Sequence, residues 1–152
     1  MEAIGRLIPS AKVDGVEINA AAFEALQKNP FVNEAHLDSI IRFTPTNTYD
    51  LVFTKTVLIH IAPDALNDVF DVMYNASNRY LLVAEYYNPA PVDIVYRGHQ
   101  QKLFKRDFAG DLMKRHQDLR LLEYGFVYHG DTMFPQDDIT WFLLEKSVER
   151  ES

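Results

Sequence analysis

The order of apolar segments along the chain constrains its fold more than any other feature of the sequence. Strand-like segments alternate with helix-like segments from residue 3 to residue 116, and this alternation is typical of α/β proteins. The last two strand-like segments, 119–127 and 139–146, follow one another with no helix between them. Two consecutive strands of this kind pair most easily as an antiparallel hairpin. The sequence therefore predicts an α/β sheet that ends in an antiparallel pair of strands.

Local patterns place the other elements. Asn19 and Asp107 each precede a helix-like segment and can cap it, the first helix ending near residue 29 and the second near residue 116. Further helices are predicted at 3–8 and after Pro63, and further strands at 12–18, 31–36, 49–54 and 79–86. The segment 49–54 is almost continuously apolar, which predicts a strand buried on both faces. Residues 87–106 include two prolines and are predicted to be irregular.

Composition limits the class of protein. The chain has 152 residues, of which 47% are hydrophobic, and we predict a single domain over 1–152 with a buried core. It contains no cysteine, which excludes disulfides, thiolate metal sites and a cysteine nucleophile. The five histidines are scattered without metal-ligand spacing, so no metal site is expected. No apolar run approaches the about 20 residues of a membrane span, and no export signal is visible. We therefore expect a cytoplasmic protein that does not act at a membrane.

One short segment departs from the acidic character of the chain. There are 15 Lys and Arg residues against 22 Asp and Glu residues, and the formal net charge of −7 argues against a nucleic-acid-binding protein. One stretch without an acid nevertheless collects four basic residues and a histidine: Arg97, His99, Lys102, Lys105 and Arg106. Placed over a cleft, such a stretch binds a carboxylate or a sugar phosphate; the alternative is a solvated loop surface.

Several long segments resemble one superfamily of enzymes. The apolar strand at 49–55 begins with an acid and is followed by a Leu-x-His turn at 58–60, which resembles the fourth-strand motif of class I S-adenosylmethionine-dependent methyltransferases. Four later segments are similar to those of the pseudaminic acid biosynthesis-associated methylases, namely 80–89, 96–99, 102–110 and 137–146. Those bacterial proteins are linked to the nonulosonic acid sugars of surface glycans. The resemblance covers about residues 4–146. It implies a Rossmann-like class I methyltransferase sheet, S-adenosyl-L-methionine as cofactor, and a small acceptor that is anionic or derived from a sugar.

The resemblance also predicts a missing element. In this superfamily the sheet has the order 3-2-1-4-5-7-6, and its first strand leads into a Gly-rich turn that receives the methionine half of the cofactor. Nothing before Lys12 matches that strand or that turn, so the first, central strand is expected to be missing. An unpaired central position would leave buried peptide groups without partners, at about 1–3 kcal/mol each. We therefore expect either that the strand at 13–18 fills the gap, or that the exposed strand edges pair with another chain in a homo-oligomer.

Polar residues at predicted strand ends are candidates for cofactor binding. Glu17 ends an early strand, where an acid can hold the ribose hydroxyls of NAD or of S-adenosylmethionine. By resemblance, the other cofactor-binding candidates are the apolar neighbour of Glu17, three residues expected at the adenine and two at the end of the next strand: Ile18, Asp38, Ser39, Ile40, Thr54 and Lys55. The alternative is that these residues are solvated groups at strand ends and loop starts.

A second set of residues is expected to face the acceptor. His60 is the first candidate for taking the acceptor's proton, because imidazole titrates near neutral pH, and Glu85 is the second. The expected acceptor-binding residues are Tyr86, Tyr87, Asn88, Arg97, His99, Lys102, Arg106, Tyr128, His129 and Asp138. As alternatives, His60 is a structural histidine bonded to backbone, and the tyrosines pack at a rim.

Three hypotheses about function follow. The first is a methyltransferase that modifies an oxygen or nitrogen of a small acceptor. The second is a non-catalytic remnant or partner-binding module, which the missing Gly-rich turn favours. The third is an NAD-binding protein, which shares the acid at Glu17 but is disfavoured by the antiparallel pair of strands at the end of the sheet.

Overall fold

The computed structural model describes residues 1–96 and 99–147, with side chains for all of these except 95, 96 and 99–102. The chain divides into two compact units, Met1–Thr44 and Pro45–Ser152. Each unit has its own strands, and the two are described separately. The longest described helix has 11 residues, well short of a membrane span.

The first unit is a small βαβ arrangement preceded by a helix. Its elements are α1 Glu2–Leu7, β1 Asp14–Glu17, α2 Ala20–Gln27 and β2 Glu34–Leu37. The two strands are parallel, with Asp14 opposite Glu34 and Glu17 opposite Leu37. Helix α2 begins where the sequence predicts, because the Asn19 side chain accepts a hydrogen bond of 3.1 Å from the N–H of Ala22.

The second unit is built on a four-stranded sheet. Its elements are β3 Tyr49–Lys55, a 3₁₀ turn Leu58–His60, α3 Leu66–Ala76, β4 Ser77–Glu85, β5 Val92–Tyr96, β6 His99–Lys105, α4 Phe108–Arg115, β7 Leu119–Val127 and β8 Ile139–Lys146. The sheet has the order β3-β4-β8-β7, in which β3 and β4 are parallel and β8 is antiparallel to both of its neighbours. The predicted antiparallel pair is confirmed. The order is also the 4-5-7-6 arrangement that the resemblance implies for this part of the sheet.

The core of the second unit lies between the sheet and two helices. Helix α3 packs on β3 and β4, and α4 packs on β4 and β7. The predicted apolar face of α3 is confirmed by four buried residues: Leu66, Val69, Phe70 and Met73. Helix α4 starts at its predicted cap, since the Asp107 carboxylate accepts a hydrogen bond of 2.9 Å from the N–H of Gly110.

Two local predictions were wrong. Residues 92–105, expected to be irregular, contain the antiparallel hairpin β5–β6, in which Ile94 is opposite Leu103. The prolines lie before the first strand of this hairpin and therefore do not interrupt its ladder. Strand β3 was expected to be buried on both faces, but Leu51 and Phe53 are 40% and 37% exposed. Among the described strands β3 lies at an edge of the sheet, and its exposed residues 51, 53 and 55 share one face.

The early strand does not join the larger sheet. Among the described residues, β1 pairs with β2 alone and β3 pairs with β4 alone. Of the two alternatives predicted from the sequence, the one in which residues 13–18 pair beside β3 is not seen in the described ladders, and the ladder with β2 occupies only one edge of β1. Pairing of the strand edges with another chain stays a prediction, as does the absence of a central strand.

Candidate functional site

In the first unit, two acidic residues meet at one edge of the sheet. Glu17 is the last residue of β1, and Asp38 directly follows β2. The N–H of Asp38 donates to the carbonyl oxygen of Glu17 at 3.1 Å, so the two backbones are adjacent. Because β1 and β2 are parallel, both acids lie at the carboxyl end, which is where open α/β sheets bind ligands.

The Glu17 carboxylate is partly committed to its own chain. Its Oε1 accepts a hydrogen bond of 2.8 Å from the N–H of Asn19, which fixes the side chain at the start of α2. Among the described residues, no hydrogen bond reaches its other oxygen. The group thus retains an acceptor for a hydroxyl donor, as a ribose site requires.

The residues after β2 form a tight turn. The Asp38 carboxylate accepts a hydrogen bond of 2.7 Å from the N–H of Ser39, and the carbonyl oxygen of Ser39 accepts from the N–H groups of Arg42 and Phe43, each at 2.9 Å. Ile40 is half-buried, whereas Ile18 is 69% exposed. The first unit therefore carries all five of its predicted adenosine-binding residues at, or directly after, the carboxyl ends of its two strands.

In the second unit, four chain segments meet at one end of the sheet, the end at which the parallel strands β3 and β4 finish. Strands β3 and β4 end there at Lys55 and Glu85, and the antiparallel β8 begins there with Thr140 opposite Glu85. Strand β7 ends with Val127 opposite Ile139, so the β7–β8 connection lies at the same end. Most of the predicted acceptor-binding residues follow or precede these strand ends.

Glu85 is a buried acid that organises the turn after β3. It is 2% exposed, and its carboxylate accepts hydrogen bonds from the N–H groups of Val57, Leu58 and Ile59 at 3.1, 3.2 and 3.4 Å. Burial raises the pKa of Glu85, and the bonds from Leu58 and Val57 oppose that rise. The predicted role of Glu85 as a base is untested. The geometry gives it a different one, which is to hold the 3₁₀ turn that carries His60.

The predicted residues at the end of β3 differ in exposure. Thr54 is 4% exposed; its hydroxyl makes no hydrogen bond of standard geometry, although it still favours the charged form of Glu85. Lys55 is exposed and donates to Gln136 Oε1 at 2.8 Å. Thr56 follows with a positive φ of 54°, and its N–H donates to the carbonyl oxygen of Ala84 at 3.0 Å. This residue turns the chain sharply into the His60 turn.

The acceptor-facing role of the basic segment stays a prediction. Arg97 lies outside the described residues, and so do the side chains of His99 and Lys102. The Nε of Arg106 donates to Asp111 Oδ2 at 2.6 Å, so its guanidinium is engaged by α4. Lys105 has its ammonium 5.0 Å from the ring centroid of Tyr86. Strand β6 also lies against the 3₁₀ turn, which brings the hairpin to the His60 end of the sheet.

The residues after β4 contribute aromatic and amide groups. The Tyr87 ring lies 5.7 Å from that of Phe142, centroid to centroid, and the Asn88 amide donates to the carbonyl oxygen of Ala90 at 2.5 Å. Phe142 and Gln136 are not among the site residues predicted from the sequence. Gln136 lies in a connection whose conformation has no local signal, and Phe142 reads as an ordinary residue of a buried strand.

His129 and Asp138 form a close pair in the β7–β8 connection. The imidazole Nδ1 lies 2.8 Å from each carboxylate oxygen of Asp138, and the N–H of His129 donates to Oδ1 at 3.0 Å. These bonds, the backbone one first, lower the pKa of Asp138. The Tyr128 ring packs edge-on against the imidazole, with centroids 4.7 Å apart. Three predicted acceptor-binding residues are thus brought together.

Comparison with known proteins identifies the fold. No family model and no curated protein matches the sequence. The structure is similar to a SAM-dependent methyltransferase from Leishmania major, with a TM-score of 0.64 and 21% identity over 89% of this chain and 55% of that one. It is also similar to 1,6-didemethyltoxoflavin-N1-methyltransferase from Burkholderia thailandensis, with a TM-score of 0.69 and 13% identity over 97% of this chain and 66% of that one.

A third similar structure is an O-methyltransferase from a polyketide synthase multienzyme of Brevibacillus brevis, with a TM-score of 0.69 and 16% identity over 95% of this chain and 61% of that one. The chain therefore spans between 55% and 66% of the length of these three proteins. Its fold is the Rossmann-like α/β fold of class I S-adenosylmethionine-dependent methyltransferases, as the sequence predicts.

Proposed function

We propose that this chain acts as an S-adenosylmethionine-dependent methyltransferase that modifies an oxygen or nitrogen atom of a small acceptor. The fold supports the reaction class. The segments that resemble the pseudaminic acid biosynthesis-associated methylases support a sugar-derived acceptor of the nonulosonic acid type, in a bacterial cytoplasm. The acidic net charge disfavours nucleic acid as the acceptor.

The observation that carries the proposal is the pair of acids at the carboxyl ends of β1 and β2. The Glu17 carboxylate has an oxygen that can accept a hydrogen bond from a ribose hydroxyl. Asp38 follows the neighbouring strand, and its N–H donates to the carbonyl oxygen of Glu17. We assign ribose binding to Glu17 with Ile18 beside it. Adenine recognition is assigned to Asp38, Ser39 and Ile40.

The second unit supplies the acceptor-facing groups in this proposal. S-adenosylmethionine supplies a methyl group already activated on a sulfonium, so the protein contributes mainly alignment of the reacting atoms. Thr54 and Lys55 are proposed to contact the cofactor. His60 is presented on a turn that Glu85 holds, and Tyr86, Tyr87 and Asn88 follow the neighbouring strand. Lys105 adds a cation over Tyr86, which suits an acceptor carrying a carboxylate.

Titration calorimetry with S-adenosylhomocysteine tests the proposal. We expect micromolar binding by the wild-type chain. Glu17→Ala should weaken binding about 10- to 100-fold, because a hydrogen bond to a charged group contributes about 1.5–3 kcal/mol. Glu34→Ala is the matched control, since Glu34 is an exposed acid at the opposite end of the same two-stranded sheet. Its affinity should equal that of the wild type.

A second candidate function is a partner-binding module that holds no cofactor. The exposed apolar residues Leu51 and Phe53 on the edge strand β3 favour it. No heat of binding at millimolar S-adenosylhomocysteine would support this candidate and contradict the methyltransferase proposal. Equal weakening by both substitutions would contradict the role of Glu17 alone.

A further inference from the structure

The His129–Asp138 pair has a geometry that its general role in acceptor binding does not require. The carboxylate meets the imidazole at Nδ1 with both oxygens at 2.8 Å and receives the backbone N–H of the same residue at 3.0 Å. Strands β7 and β8 end their ladder at Val127 and Ile139, close to both residues. The paired strands therefore fix the two ends of the segment that carries the histidine and the aspartate.

This contact selects one form of the imidazole. An ionised carboxylate can only accept hydrogen bonds, so the imidazole nitrogen that faces it must carry the proton. With the proton on Nδ1, the neutral ring has a lone pair on Nε2. An aspartate that orients a histidine in this way is the arrangement that general-base catalysis requires.

The Nε2 atom is also accessible. The His129 side chain is 66% exposed, and no hydrogen bond reaches Nε2 among the described residues. The groups that face the pair are the Tyr128 ring and the ammonium of Lys105, which acts electrostatically on Asp138. The pair lies at the sheet edge where β3 and β4 end, which is the ligand-binding edge of this fold class.

We propose that His129 is the general base of the transfer, acting on a hydroxyl acceptor, and that Asp138 is its positioning residue. This inference rests on the proposed methyltransferase function. The transfer forms an oxygen–methyl bond on the acceptor and breaks the sulfur–methyl bond of the donor. The hydroxyl proton passes to Nε2 of His129 and from there to solvent. A hydroxyl is a weak nucleophile until its proton is removed, so a positioned base favours an alcohol acceptor over an amine.

Nitrogen NMR of the histidine side chains tests the inference on the free protein. We expect the neutral ring of His129 to carry its proton on Nδ1 in the wild type, and to shift toward the Nε2-protonated form in Asp138→Ala. Asp137→Ala removes the same charge one residue away and should leave the ring unchanged. A wild-type ring protonated on Nε2 would overturn the inference, since that nitrogen then has no lone pair for a proton. Asp138→Asn serves as a second variant if the alanine variant does not fold.

Turnover adds a kinetic test with N-acetylneuraminic acid, a polyhydroxylated sugar acid, as the probe acceptor. His129→Gln should lower kcat by at least about 100-fold, as expected for loss of a general base, with unchanged affinity for S-adenosylhomocysteine. A full rate in His129→Gln together with a loss in His60→Gln would return the role to His60. The NMR result needs neither donor nor acceptor, so it separates failure of this inference from failure of the proposed function.

Discussion

At the scale of single residues, His116 shows how burial changes the pKa of an ionisable side chain. The His116 ring stacks on Tyr74 with a centroid distance of 3.9 Å and an interplanar angle of 2°. Its Nε2 lies 3.2 Å from Asp71 Oδ1 but makes no hydrogen bond of standard geometry. Burial lowers the pKa of His116 and outweighs the attraction of Asp71. Protonation of this ring therefore favours the unfolded chain.

The pH dependence of unfolding follows from that sign. Because the folded-state pKa of His116 lies below its ordinary value of 6.5, its contribution to stability is complete above pH 6.5 and is lost as the pH falls below that. His116→Phe keeps an aromatic ring against Tyr74 and does not titrate. In urea unfolding followed by circular dichroism, the wild type should lose stability relative to this variant between pH 7 and pH 5. Parallel curves for the two proteins would contradict the prediction.

Glu85 shows the limit of sequence reasoning at this scale. An acid at the end of an apolar strand is visible in the sequence, and so is its place at a ligand-binding edge. Its burial is not visible in the sequence. The buried carboxylate is stabilised by hydrogen bonds from three N–H groups of residues 26 to 28 positions away. Glu17 was easier to place, since the only described hydrogen-bond partner of its carboxylate is two residues along the chain.

Glu85 also gives a second pH prediction. Its raised folded-state pKa means that the folded protein binds this proton more tightly than the unfolded chain does. The free energy of unfolding should therefore decrease as the pH rises above 4.5, the ordinary value for this acid, and level off above the folded-state pKa. Glu85→Gln removes this titration. Chemical unfolding at several pH values should show the wild type losing stability relative to the variant over that window; a constant difference would contradict the prediction.

At the scale of elements, helix starts were predictable and the β5–β6 hairpin was not. A cap acts over three residues, so Asn19 and Asp107 mark their helices from local sequence alone. The hairpin depends on pairs of residues that are 3 to 13 positions apart and on contact of β6 with the 3₁₀ turn. Two prolines just before it gave a stronger local signal for a loop.

The cap of α4 gives a prediction about stability. Asp107→Ala removes the acceptor for the N–H of Gly110 and should lower the free energy of unfolding by about 1 kcal/mol. Asp107→Asn keeps a capping oxygen and should lie within a few tenths of the wild type. Urea unfolding of the three proteins at pH 7 measures the difference. Equal losses in both variants would show that charge, and not the cap, is what α4 requires.

At the scale of the whole molecule, the strand edges of β1 and β3 show what the sequence could and could not predict. The sequence indicated that these edges would lack their usual partner, and it offered pairing of the two strands as one alternative. No ladder joins them in the described residues. The apolar strands were predicted from their patterns, yet their partners depend on contacts that no short segment encodes. Leu51 and Phe53 remain exposed on an edge strand. An exposed apolar edge of this kind favours pairing with another chain.

Self-association through β3 is therefore expected. Sedimentation of the wild type at about 100 μM should show dimers or larger species, and Leu51→Lys should shift it to monomer, because lysine on an edge strand opposes pairing. Leu122→Lys is the matched control on the other edge strand, β7, where Leu122 is 44% exposed. A wild type that stays monomeric at every concentration, or equal effects of the two lysines, would contradict pairing through β3.

The sharp bend at Thr56 has a consequence for how this protein can be engineered. A β-branched residue with a φ of 54° is held in a conformation that glycine adopts freely, at a cost of about 1–3 kcal/mol. Replacing Thr56 with glycine would relieve this backbone strain. It would also weaken the restraint on the 3₁₀ turn that carries His60. Thr56→Gly would therefore raise the free energy of unfolding and at the same time make the turn that carries His60 more flexible.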